Sequence, residues 1–457
     1  MQEILYRFQN GIDGMEAELR VQENRDSRVE LLSGKPAANV HSSRAGVSAR
    51  VCRGGSFGFA SCGELRESAM EACLKTALDN AEFLHTHAPR GLPRRKRLPA
   101  CSVKQTVRTA SAQAEPMEFL RALDAEIRRY PNLIGRRLEL RADSSESYVL
   151  SGDGGSASLY LPRIYLYLTL TAETSAGEPV ELCRVFGGCG SFGDRFRDSA
   201  AILPAAELLH EQLMQKREGV YPRAGKAVCV LGGGLSGMLA HEAVGHTVEA
   251  DLVQSGSIGG AYLGKQAASP LVSITDFAVS AFGKPAPLPI PADHEGTRGE
   301  DAPLIRDGVL VGYMNDRASA PRYGMEPLGN ARAYCFADEP LIRMRNTAIH
   351  PGNSRLEDLI SSVDEGYYLT DTNNGQADTN GEFMFGVTMG YEIRGGKLGR
   401  AILDTTISGM AFDMLRTVDM VSDEMIWDSS GYCGKKQPIP VSVGGPALRC
   451  TVNVGGR

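Results

Sequence analysis

The chain has 457 residues, enough for two or three domains and a sizeable core. A charged fraction of 23%, an apolar fraction of 42% and a net charge of −6 belong to an ordinary soluble globular protein. There is no long basic run to favour a nucleic-acid partner and no apolar stretch long enough to span a membrane. The opening residues, MQEILYRFQNGID, lack a basic segment followed by an apolar core, so no secretory leader is read and the expected location is cytoplasmic. The ten cysteines form no C-x-x-C pair; in a reducing compartment they read as small core residues or free thiols.

In chain order, residues 15–21 and 27–32 alternate apolar and polar and predict two half-buried strands. Residues 46–53 and 56–60, split by Gly54-Gly55, predict a hairpin. A helix follows from Ser61 or Gly63, with Leu65, Ala69, Cys73, Ala77 and Ala81 at helical spacing. Residues 91–100 (GLPRRKRLPA) read as a solvated basic loop, and 117–129 as an amphipathic helix. Four short strands are expected at 138–141, 147–151, 157–161 and 164–172. Residues 185–192 (VFGGCGSF) read as a glycine-rich loop without the lysine of a phosphate cradle. A long helix over 194–218 stops before Tyr221-Pro222, where a boundary divides the chain into 1–220 and 221–457.

Beyond it, 226–231 (KAVCVL) predicts a buried strand, 232–234 a turn, and Ser236 the start of a helix. A hairpin is expected at 308–312 and a strand at 343–350, with His350 structural. Antiparallel strands are expected at 382–387, 389–393 and 397–403, turning at 394–396. The expected class is α+β. It combines an N-terminal α/β domain of mixed sheet and helices with a mostly antiparallel, barrel- or sandwich-like C-terminal β domain that carries the helix after 236.

That helix holds LAHEAVGHTVEAD at 239–251, in which Glu242 directly follows His241 and His246 lies five positions on. Imidazole suits zinc, and a carboxylate beside the ion can take a proton from water. The common helical zinc motif spaces its histidines by four. On a straight helix, positions five apart sit about 140° round the axis, too far to share one ion. A π-type turn of about 4.4 residues brings them back to about 50°. Gly245 would lower the steric barrier to such a bulge. The alternative is two unrelated helix histidines, one of them a satisfied core residue. A third ligand from 293–299 (DHEGTRG), with His294 and Glu295, is conceivable; a polar loop is the other reading. Cys433, in a glycine-flanked loop with Lys435 nearby to favour a thiolate, is another candidate, but composition does not single it out among ten cysteines.

The run GGGLSGMLAHEAVGHTVEADLV resembles the metal-site segment of the TldD/PmbA family of bacterial and archaeal metallopeptidases. GVSARVCRGGSFGFAS with its following helix, and YCGKKQPIPVSVGGPALR near the C-terminus, resemble two further family blocks. The resemblance implies that His241, His246 and Cys433 hold a zinc or similar divalent ion and that Glu242 is the general base. It also implies that the 293–299 loop is not a ligand. Glu249 and Asp251 match acidic positions of the family; they read as partners that orient an imidazole or, equally, as exposed helix-end charges.

The expected activity is metal-dependent hydrolysis of peptide bonds in small peptides or unfolded segments, which an exposed sheet edge could capture as an added strand. The resemblance implies a homodimer, or a heterodimer with a paralogous subunit; charge and hydropathy give no expectation of a nucleic-acid or membrane partner. Two other readings stand beside it: a non-catalytic peptide-binding or assembly subunit, and a hydrolase of a non-peptide amide.

Overall fold

A computed structural model describes residues 2–87, 102–106 and 115–456. The basic loop expected at 91–100 lies outside the described residues. The fold is α+β, as expected from the sequence.

Seven strands build the N-terminal sheet: β1 (Ala17–Leu32), β2 (Lys35–Arg53), β3 (Ser56–Cys62), β4 (Ser102–Thr106), β5 (Gly135–Ser151), β6 (Ser156–Glu173) and β7 (Pro179–Cys189). Their order is β3-β2-β1-β5-β6-β4, with β7 also on β6, and the sheet is mixed because β4 runs parallel to β6. The helix Glu67–His87 buries Ala69, Met70, Cys73, Ala77 and Ala81 in one apolar cluster with β1 and β2. Small residues let it come close: a Cβ on Gly58 would lie 2.0 Å from the Ala77 carbonyl oxygen. The helices Pro116–Ile127 and Leu203–Arg217 bury Leu120, Leu123, Leu209 and Leu213 in a second cluster with β5 and β6.

Several expectations change. The paired short strands at 15–32, at 138–151 and at 157–172 are each one long strand. The polar residues within them find partners inside the fold. Gln22 and Asn24 both donate to the Tyr334 carbonyl, at 2.7 and 3.0 Å. Arg163 is buried against Asp143 of β5. Likewise 382–387 and 389–393 form the single strand Glu382–Arg394. The expected loop at 185–192 is mostly edge strand β7, which passes so close to β6 that a Cβ on Gly187 would lie 2.0 Å from the Ile164 carbonyl oxygen. The long helix expected at 194–218 is broken: Phe192–Arg195 and Ser199–Ile202 are single turns before Leu203–Arg217. Pro204 explains the new start, because proline suits a first helical turn and not an interior. The helix after β3 begins at Glu67, the strand expected at 343–350 contracts to Asn346–Ile349, and the cysteines of the described residues are free.

In the C-terminal half, Gly225–Leu231, Glu365–Ala377, Glu382–Arg394, Thr405–Met410 and Leu448–Val454 close into a five-stranded barrel. Its one parallel pairing joins Gly225–Leu231 to Glu365–Ala377. A six-stranded sheet lies alongside, with Ile274–Phe277, Asn346–Ile349 and Ser442–Gly445 at its middle. Between barrel and sheet runs the helix Gly233–Leu239, three residues earlier than expected. It approaches Ser442–Gly445 through facing glycines: a Cβ on Gly237 would lie 2.8 Å from the Gly444 amide nitrogen.

This contact sets where the helix sits. Gly237→Val should therefore destabilise the protein by about 1–3 kcal/mol, the usual cost of overpacking. Chemical denaturation would measure it, and a wild-type midpoint would contradict the close approach.

Candidate metal centre

The chain leaves Gly233–Leu239 as a regular helix and then winds more widely over Ala240–Gly245. The His246 amide donates to the His241 carbonyl, five residues back, which is the hydrogen bond of a π turn. The rings of His241 and His246 consequently meet edge to face, with centroids 5.2 Å apart and planes at 82°. Gly245 contributes differently from the expectation. Its φ of −51° and ψ of −52° are ordinary helical values, so backbone freedom is not what it supplies. It supplies room: a Cβ there would lie 2.1 Å from Sδ of the buried Met344.

Cys433 arrives from 187 residues further along, and its Sγ lies 3.3 Å from His246 Nε2. One donor atom from each of His241, His246 and Cys433 falls within 4.8 Å of the others. Two imidazoles and a thiolate are a zinc donor set, and donors at neighbouring corners of a zinc tetrahedron lie about 3.5 Å apart. His241 Nδ1 is buried with no hydrogen-bond partner among the described residues, an orphan that ligation of the ring would help explain. The residues present therefore fit a zinc ion.

Glu242 sits beside the trio, its Oε2 3.7 Å from His246 Nε2, and keeps some solvent contact. Glu249 is fully buried, and its Oε2 accepts from His246 Nδ1 at 2.8 Å. That bond fixes the ring and leaves Nε2 for the sulfur side. Lys435 Nζ lies 3.1 Å from the same Glu249 oxygen, donates to both oxygens of Asp251 and reaches the Ile342 carbonyl. Thus neither acidic residue is a loose helix-end charge. Lys435 also differs from expectation: its ammonium pairs with the carboxylates behind His246 rather than with the thiol. Arg343, fully buried and not singled out from the sequence, donates to the carbonyls of Cys433 at 2.6 Å, Lys435 at 2.8 Å and Gln437 at 2.9 Å. Its signal was a pair of arginines, 343 and 345, in a run otherwise read as a strand.

His294 and Glu295 stay away from the centre. His294 Nδ1 accepts from the Ala333 amide, and Glu295 pairs with Arg50 of β2 at 2.6 Å. His350 is structural, bonded to Thr275 at 2.9 Å.

The electrostatics are those of an ion pair. Burial alone would raise the Cys433 thiol, but hydrogen bonds and charge from His241 and His246 bring it far below the ordinary range. Burial alone would lower His246, yet Glu249 and then Cys433 hold it well above the usual imidazole range.

The chain has counterparts among known proteins. Residues 224–456 match the PmbA/TldA metallopeptidase C-terminal domain, and residues 17–81 match PmbA/TldA metallopeptidase domain 1. A metalloprotease of Methanothermobacter thermautotrophicus is 30% identical over 451 residues, covering 95% of this chain and 93% of the relative. The chain belongs to the TldD/PmbA metallopeptidase family. A metalloprotease TldD homolog of Haemophilus influenzae is 34% identical over 326 residues, 68% of this chain and 65% of that protein. A zinc metalloprotease TldD homolog of Saccharolobus solfataricus is 30% identical over 315 residues, 68% of each. In overall fold this TldD/PmbA member is similar to TldE from Thermococcus kodakarensis, with a TM-score of 0.73, 17% identity and 99% of both chains covered.

In the metal-free protein, the lowered thiol adds stability above the ordinary thiol pKa and loses it as the pH falls through the lowered value. The raised imidazole adds stability below its ordinary pKa and loses it as the pH rises through the raised value. Metal-free protein at pH about 6 should hold Cys433 as a thiolate, where a free thiol of pKa about 8.5 is protonated. Ultraviolet thiolate absorbance should exceed that of Cys433→Ser by one thiolate per chain; equal spectra would contradict the pairing.

Proposed function

We propose that this chain is a zinc-dependent peptidase in which His241, His246 and Cys433 hold the metal and Glu242 is the general base. The observation that carries the reading is the convergence, through one π turn, of two imidazoles and a thiolate beside a solvent-reaching carboxylate. The name of the Saccharolobus relative, a zinc metalloprotease homolog, supports zinc as the resident metal.

Bound zinc supplies Lewis acidity toward the scissile carbonyl and lowers the pKa of water from about 15.7 toward 7. The chain's own residues do the rest. Glu242 accepts the proton of the attacking water and delivers it to the leaving amine. Glu249 holds His246 by Nδ1, so that Nε2 faces inward in one tautomer. Lys435 and Arg343 hold the backbone around Cys433 so that the sulfur meets the two rings. Binding by addition to a sheet edge would select extended chains, so small peptides and unfolded protein segments are the substrate class.

The division of the chain near residue 220 into two domains, a cytoplasmic location, and action as a homodimer or with a paralogous subunit complete the proposal. The likeness to TldE in fold is compatible with a paralogous partner. Among the described residues no helix is long and apolar enough to cross a membrane.

Glu242→Gln should leave zinc content unchanged and reduce cleavage of an unfolded polypeptide by roughly 100-fold or more. Atomic absorption and a gel-based cleavage assay would read the two quantities. Wild-type turnover in this variant would remove Glu242 from the chemistry and favour a binding subunit. A chelator should abolish cleavage, and added zinc should restore it.

A further inference from the structure

The three donors do not share one support. His241 and His246 belong to the helix between barrel and sheet, whereas Cys433 belongs to a short hairpin, Tyr432–Cys433 paired with Ile439–Pro440. The other side of that hairpin meets the N-terminal sheet. Strand β6 carries Arg163, Tyr165 and Tyr167 at two-residue spacing, hence on one face. All three reach the segment just before Cys433. Arg163 Nη1 donates to the Ser429 carbonyl at 3.2 Å. The Tyr165 hydroxyl donates to the same carbonyl at 2.6 Å, and the Tyr167 hydroxyl reaches the Ser430 carbonyl at 3.3 Å.

Arg163 does more than touch the loop. It is 1% exposed and forks onto Asp143, its cross-strand neighbour, with both bonds at 2.9 Å. The Tyr432 hydroxyl donates to Oδ2 of that Asp143 at 2.9 Å, and the Arg163 guanidinium carbon lies 4.7 Å from the Tyr432 ring centre. Successive side chains of a strand point to opposite faces. Holding Tyr432 toward the N-terminal sheet therefore turns Cys433 toward His246.

We infer that the N-terminal sheet, through Asp143, Arg163, Tyr165 and Tyr432, positions Cys433 as a metal ligand. These are positioning residues, and the inference rests on the proposed metal site. Burying an arginine is expensive unless it is paired and fully hydrogen-bonded. Here its bonds run to one carboxylate and to a carbonyl four residues before the sulfur, so the N-terminal half contributes to metal affinity without supplying a donor.

The test uses the full chain as Tyr432→Phe and as Tyr165→Phe/Tyr432→Phe. Both remove hydroxyls and keep the rings, and Tyr432 is 44% exposed. Zinc dissociation constants come from competition with a chromophoric chelator. Cobalt substitution reports the sulfur bond through its thiolate-to-metal charge-transfer band. The double variant should bind zinc roughly 10-fold to 100-fold more weakly, the usual effect of removing a residue that supports a ligand. Its cobalt–thiolate band should weaken; in Tyr432→Phe, where the lost hydroxyl sits on a part-exposed ring, the melting temperature of the metal-free protein should stay at the wild-type value. Tyr391→Phe, whose hydroxyl bonds Gln215 elsewhere, should match wild type.

Wild-type zinc affinity and a full cobalt band in both variants would overturn the inference. If the double variant does not fold, Tyr432→Phe alone decides it by the same two readings. Cys433→Ser separates this from failure of the metal reading. Wild-type affinity in Cys433→Ser would refute Cys433 as a ligand. Weak affinity there with full affinity in the tyrosine variants would refute only the positioning.

Discussion

One backbone hydrogen bond, from the His246 amide to the His241 carbonyl, spans five residues where a helix normally spans four. Because of that extra residue the two imidazoles share a side of the helix and Glu242 lies next to them. The surrounding packing holds the turn. Gly245 leaves space for Met344, Gly237 lets the helix reach Ser442–Gly445, and Glu249 grips His246 from behind. A π turn is a poor local solution for a helix, and tertiary contacts make it the stable one here.

The sheet beside the barrel has few long strands, so much of its backbone cannot find partners in a ladder. Buried arginines take over that task. Arg345 pairs with Asp276 at 2.8 Å, both fully buried, and also donates to the carbonyls of Leu328 and Glu300. Arg343 does the same for the hairpin around Cys433, and Arg332 for the carbonyls of Met344 and Pro440. A guanidinium offers five donors in a fixed fork, which suits several carbonyls converging from an irregular segment. Removing one would leave several buried acceptors unmet at once, which costs far more than a surface ion pair contributes.

Local spacing made the helix pair of histidines legible, including its wide turn, because the five-residue interval has one economical geometric solution. The strands were legible in place but not in length. Gln22, Asn24 and Asp143 look like interruptions until their partners, hundreds of residues away for the first two, are in position. Cys433 could be picked from ten cysteines only by resemblance to a family block, since nothing in its neighbours declares which residues it will face. Glu249 stayed open for a related reason: burial of a helix end is a property of what packs over it.

The barrel closes by pairing Gly225–Leu231 with Leu448–Val454, two segments more than two hundred residues apart. The hairpin bearing Cys433 lies between the last barrel crossings and the final strand. Until that long-range closure happens, the sulfur has no fixed place relative to the imidazoles. Contacts of such high contact order form slowly, after local helices and hairpins. Assembly of the three-donor centre is thereby gated by completion of the fold. A half-assembled chain carries the histidines on their wide turn but holds no third donor beside them.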